Sequence, residues 1–133
     1  MTAINDLLAF QRQTEALSSI AERLSWDQET VMPRGAVEQR SEEMAAIESV
    51  LHERRTDPRI GEWLDAADPQ TENEARILAL IGRDHARANA IPADLASELA
   101  RQTSLGQGIW ATARANEEPA DFMPTLDQIL VLK

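Results

Sequence analysis

Apolar and polar residues follow one another along this chain with the period of an α-helix almost from end to end. Leu7, Phe10, Thr14, Leu17, Ala21, Leu24, Gln28 and Val31 recur at three- and four-residue steps. That spacing puts them on one stripe of a long helix, which Pro33 and Gly35 bring to an end. Val37, Met44, Ile47 and Leu51 mark a second helix, closed before Thr56–Asp57–Pro58. Either Thr56 or Asp57 can cap the third helix, with Pro58 in the first turn where its missing N–H costs nothing. That helix carries Ile60, Trp63, Leu64 and Ala67 and stops at Asp68–Pro69. Thr71 and Glu74 have capping-box spacing for a fourth helix, whose stripe is Ile77, Leu78, Ile81, His85 and Ala88, ended by Pro92. The fifth carries Leu95, Leu99, Gln102, Gly106, Ile109, Trp110 and Ala113. Its two glycines, Gly106 and Gly108, each weaken a helix by about 1 kcal/mol relative to alanine, which predicts close backbone packing there. A last helix opens between Pro119 and Pro124 and includes Phe122, Leu126, Ile129 and Leu130. No segment alternates with period two for the length of a strand. The pattern predicts an all-α fold of about six helices in an antiparallel array, forming one domain over residues 1–133.

Composition narrows the classes of partner. A chain of 133 residues with 43% hydrophobic content can bury a core. A formal net charge of −10 repels nucleic acid and anionic membranes, so neither is expected as a partner. With no cysteine, disulfides and thiolate metal sites are excluded, as suits a reducing cytoplasm. The opening "MTAINDLLAF" has no basic region or signal-type apolar run. The closing "LDQILVLK" runs on with no glycine, asparagine or proline to finish the helix, so the chain reads as cut within an element.

Few residues offer chemistry. "HERRT", residues 52–56, begins like an HExxH zinc-peptidase motif, in which histidines at i and i+4 reach one metal and the glutamate activates water. Here Thr56 stands in place of the second histidine, and His52, Arg54 and Arg55 read as basic groups that favour a helix C-terminus. His85, the other histidine, lies on an apolar stripe and reads as a hydrogen-bonded, half-buried side chain. A small hydrolase with a metal held by His52 and His85 is the weakest alternative. No serine has a nucleophile-elbow setting, and "GQG" at residues 106–108 is too short for a phosphate loop. The clusters Glu38 to Glu43 and Arg54–Arg55 read as solvated helix faces. No catalytic residue and no metal ligand is assigned.

One stretch resists a bland reading: "SWDQETVMP", residues 25–33. If the first helix continues through it at about 100° per residue, Gln28 and Val31 stay on the stripe while Trp26 faces the other way. Asp27 is expected to pair with Arg23, and Glu29 and Thr30 flank Trp26. Asp27 and Glu29 diverge, which makes them a poor acid–base pair. The helix would then have two buried sides at this end, with Trp26, Asp27, Gln28, Glu29, Thr30 and Pro33 forming a structural joint.

The block "LSWDQETVMPRGAVEQRSEEMA", Leu24 to Ala45, resembles the N-terminal signature of the carboxypeptidase Taq family of metallocarboxypeptidases. The similarity continues through "LHERRTDPRIGEWLDAA", "RDHARANAIPADLASELARQTSLGQGIWATAR" and "FMPTLDQILVLK". Gly106 and Gly108 depart from it, where bulkier helix formers are usual, and Pro119 stands in place of an aromatic or apolar residue. The resemblance implies the N-terminal helical domain of a much longer, mostly helical, cytoplasmic and often dimeric enzyme. In such an enzyme an HExxH pair and a downstream glutamate hold one divalent metal, zinc or sometimes cobalt, and C-terminal amino acids are released from peptides with broad specificity. All those functional residues would lie beyond the position of Lys133, leaving this chain as groove wall and packing surface for the catalytic body. The competing reading is a standalone helical interaction or dimerisation module.

Overall fold

The computed structural model describes residues 2–133 and is helical throughout, with no strand among the described residues. The long first stripe becomes α1 (Ala3–Thr30), which the Thr2 hydroxyl opens by accepting the Asn5 N–H. A single 3₁₀ turn (Arg34–Ala36) follows Pro33 and leads into α2 (Val37–Arg55). Asp57 caps α3 (Pro58–Ala66), with Pro58 at its start. Both halves of the Thr71–Glu74 capping box form at the head of α4 (Glu72–Asn89). Then come α5 (Ala93–Ala115), a second 3₁₀ turn (Pro119–Phe122) and α6 (Met123–Leu132). The last helix begins at Met123, within the expected Pro119–Pro124 window, after the Pro119 segment has wound into the tighter turn.

Helix directions follow from which residues meet. Leu24 and Asp27 of α1 meet Arg40 of α2, while Phe10 and Thr14 meet Arg54. Along α2 and α5 the contacts run Val37 with Gly108, Glu42 with Arg101 and Ala45 with Ser97. Numbers fall on one helix as they rise on the other, so both pairs are antiparallel. The contacts Leu64–Gly82 and Gly61–His85 give the same result for α3 and α4. The expected antiparallel array is what forms.

The packing divides into an apolar end and a small-residue seam. Leu7, Phe10 and Ile60 are buried together, with Trp63, Leu64, Leu78 and Ile81 packed around them. Phe10 lies 5.5 Å from Trp63 between ring centroids and carries the Arg54 guanidinium 4.0 Å above its face, a cation–π arrangement. Along α2 and α5, by contrast, the buried positions are Ser41, Ala45, Ser104, Gly106 and Ala113, besides Leu51 and His52. The α2 stripe expected from Met44 and Ile47 is displaced, since those two are only half-buried. Small side chains let the two backbones approach. A methyl group at Gly108 would sit 2.5 Å from Cγ1 of Val37, and one at Gly106 3.2 Å from Cδ1 of Ile129 on α6. The close packing expected at both glycines is present.

Candidate functional site

The segment 25–33 is the last turn of α1 and the bend that follows. Val31 and Met32 donate their N–H groups back to the Asp27 carbonyl at 3.0 and 2.9 Å, which closes the helix. That end holds two acidic side chains, Asp27 and Glu29, and no basic one in its last turn, an unfavourable combination with the negative pole of the helix dipole. The compensating cation comes from α2. Arg40 donates from Nη2 to the Asp27 carboxylate at 2.7 Å, from Nη1 to the Leu24 carbonyl at 2.5 Å, and from Nε to Glu43 at 2.8 Å. Only 11% of its side chain is exposed, and each of the three guanidinium nitrogens donates one hydrogen bond. Hydrogen bonding to Asp27 raises the Arg40 pKa further above its ordinary value, and Arg40 in turn holds Glu43 below the usual carboxylate range.

Asp27 therefore pairs with Arg40 rather than with Arg23. The pairing one turn back within α1 loses to a partner that satisfies the carboxylate and a helix carbonyl together. A second arginine repeats the device. Arg54 donates to the Phe10 carbonyl and to Thr14 Oγ1, each at 3.0 Å. Arg40 and Arg54 stand fourteen residues apart, as do Leu24 and Phe10 whose carbonyls they meet, about 21 Å along a helix. These two arginines are a pair of clamps and not part of a solvated face. Both fall on the Val37–Met44–Ile47–Leu51 stripe, and a charge recurring in an apolar stripe was the signal for them.

Gln28 completes the inward half of the segment. Its amide nitrogen donates to the Ser104 carbonyl at 2.8 Å, and its amide oxygen accepts the Ser104 hydroxyl at 2.9 Å. Asp27 and Gln28 thus tie α1 to α2 and α5 respectively. The outward half is different. Trp26 is 63% exposed, and Glu29, Thr30 and Pro33 are exposed beside it. Thr30 returns its hydroxyl to the Trp26 carbonyl at 2.7 Å. Val31, expected on the buried stripe, is 67% exposed, because the helix ends there and its side chain leaves the interface. Trp26 points away from the stripe as expected, into open space in this chain.

This arrangement binds α1 to α2 and α5. A model of the carboxypeptidase Taq (M32) metallopeptidase family matches residues 6–133. The chain belongs to that family. Among curated relatives, thermostable carboxypeptidase 1 of Thermus thermophilus is 38% identical over 98% of this chain and 27% of its own length. Thermostable carboxypeptidase 1 of Pyrococcus furiosus is 28% identical over 97% of this chain and 26% of its own length. The chain spans about a quarter of the length of the curated relatives it matches.

The metal that this metallopeptidase family implies does not fit the residues present. His52 donates from Nε2 to the Ile91 carbonyl at 2.7 Å, and His85 donates from Nδ1 to the Arg55 carbonyl at 2.8 Å. A carbonyl can only accept, so each of those nitrogens carries its proton. Thr56 turns its hydroxyl to the His52 carbonyl at 2.8 Å. No group of three metal-ligating side chains occurs among the described residues. "HERRT" is the end of α2, and both imidazoles pin that end in place.

Proposed function

We infer that these helices form the N-terminal part of a metal-dependent carboxypeptidase that removes C-terminal residues from peptides with broad specificity. On this reading the divalent cation, zinc or cobalt, and the HExxH helix belong to other polypeptide. Residues 1–133 wall the substrate groove and are inactive alone. A cytoplasmic setting and a homodimeric state belong to the same reading. The observation that carries it is the family match over residues 6–133 in a chain that spans only a quarter of its relatives. The outward half of the Trp26 segment supports a docking role. A tryptophan left 63% exposed, on a helix end otherwise fixed from inside, is an anchor without its pocket.

The chain assayed with zinc or cobalt against a blocked dipeptide should show no turnover above buffer and retain no stoichiometric metal after dialysis. Retained metal at one per chain with co-purifying hydrolysis would overturn the reading. For the docking role, Trp26→Ala should change the stability of this chain by less than about 0.5 kcal/mol. In the full-length enzyme it should lower the melting midpoint clearly, and an equal effect in both would refute the anchor.

A further inference from the structure

A cavity of about 500 Å³ opens between α1, α3, α4 and the last turn of α2, within the range of about 300–1,000 Å³ that small-molecule sites occupy. Its floor is apolar, made of Leu8, Ile60, Ile77 and Ile81. Two groups of opposite charge stand at its rim. Arg55 approaches its nearest carboxylate, Glu48, only to 3.4 Å and is 40% exposed. Its other N–H groups meet no acceptor among the described residues. Glu15 uses its backbone carbonyl for Ser19, and its carboxylate enters no ion pair among the described residues. Asp84, also on the rim, pairs through one oxygen with its neighbour Arg83 at 3.1 Å, as Arg55 does through one nitrogen with Glu48. His85, also lining the cavity, donates to the Arg55 carbonyl at 2.8 Å and ties the end of α2 to α4.

An apolar floor beneath one available cation and one available anion is complementary to a zwitterion with an apolar side chain. We propose that this cavity binds a free apolar amino acid or a short apolar peptide. Arg55 receives the carboxylate in its guanidinium fork, Glu15 receives the ammonium, and the side chain lies on Ile60, Ile77 and Ile81. The binding claim is independent of the carboxypeptidase reading. If both hold, the ligand is chemically a product of that reaction.

The test titrates the full chain with L-leucine and with leucyl-leucine, followed by calorimetry and by the melting midpoint. At least one should bind saturably, and the tighter of the two gives the ligand's length. N-acetyl-leucine and leucinamide, each lacking one charge, should bind the unmutated chain at least about tenfold more weakly. Arg55→Gln should abolish the preference for leucine over leucinamide, and Glu15→Gln the preference for leucine over N-acetyl-leucine. Failure of both zwitterions to saturate, or blocked analogues binding as tightly as leucine, would overturn the proposal and identify a merely apolar surface. The blocked ligands are compared on the unmutated chain, so their result stands even where a variant loses its helical signal. No hydrolysis is measured, so this outcome is separate from that of the enzyme reading.

Discussion

Arg40 is the side chain on which the α1–α2 joint turns. It serves a carboxylate and a backbone carbonyl of α1 and a carboxylate of α2 while only 11% exposed. Both carboxylates are more than a third exposed, so solvent screens part of each interaction. Arg40→Gln should therefore cost about 1–2 kcal/mol in urea unfolding. Arg40→Lys should recover little of it, since one ammonium cannot reproduce a planar fork meeting three acceptors. An unchanged midpoint in both variants would show that the clamp carries no net stability. Residues of this kind mark the limit of what the sequence reveals. The stripe position of His85 predicts the hydrogen-bonded, half-buried histidine that is found, whereas His52, expected as a basic group at the helix end, is a buried side chain bonded to the Ile91 carbonyl. Asp27 could not be paired correctly, because a partner thirteen residues away depends on how two helices cross, whereas Arg23 lies one turn back on the same helix. Within the signature, the helical repeat places Gln28 on the inward stripe and Trp26 opposite it, as found. Its partner Ser104, seventy-six residues on, left no local signal.

At the scale of elements, starts were more legible than faces. The caps at Asp57 and Thr71 follow from side chains that satisfy free N–H groups a few residues away, and such local chemistry is written in local sequence. The face that α2 buries is set by how closely α5 approaches, which the large residues Met44 and Ile47 misrepresent. The end of α5 holds a local feature that composition hides. Glu118 donates its N–H to the Ala113 carbonyl at 2.9 Å and Glu117 to that of Arg114 at 3.2 Å, the bond pattern of a Schellman cap. Its left-handed position, usually glycine, is Glu117 with φ of 59°. A side chain with a Cβ is strained there. Glu117→Gly should relieve that strain and raise stability by about 0.5–1 kcal/mol after the added unfolded-state entropy is counted. Thermal melting checks it, and a lower midpoint would show that the glutamate makes a compensating interaction.

At the scale of the whole molecule, two electrostatic effects oppose each other as pH falls. The formal net charge of −10 at pH 7 gives way to neutrality near the sequence pI of about 4.6, so acidification first relieves self-repulsion and stabilises the fold. Against this stand carboxylates whose folded-state pKa is depressed. Arg101 on α5 lowers Glu42 on α2, Arg40 lowers Glu43, and Arg59 lowers Asp57; Gln102 and then Arg101 lower Glu98. A depressed folded pKa means that the unfolded chain binds protons first. The stability these groups contribute is therefore complete above the ordinary carboxylate value, and it is lost as pH falls through that value towards the folded one. Relief of repulsion dominates from pH 7 down to about 5, and loss of the ion pairs dominates below about 4.5. The melting midpoint should therefore peak on the acidic side of neutrality. Added salt should raise it at pH 7, where repulsion is the larger effect, because charges more than about 8–10 Å apart are screened. Melting curves from pH 3 to 8 at low and high salt test this. A midpoint still rising from pH 5 to 7 at low salt would mean that the Arg40, Arg59 and Arg101 pairs outweigh the excess of negative charge across the whole range.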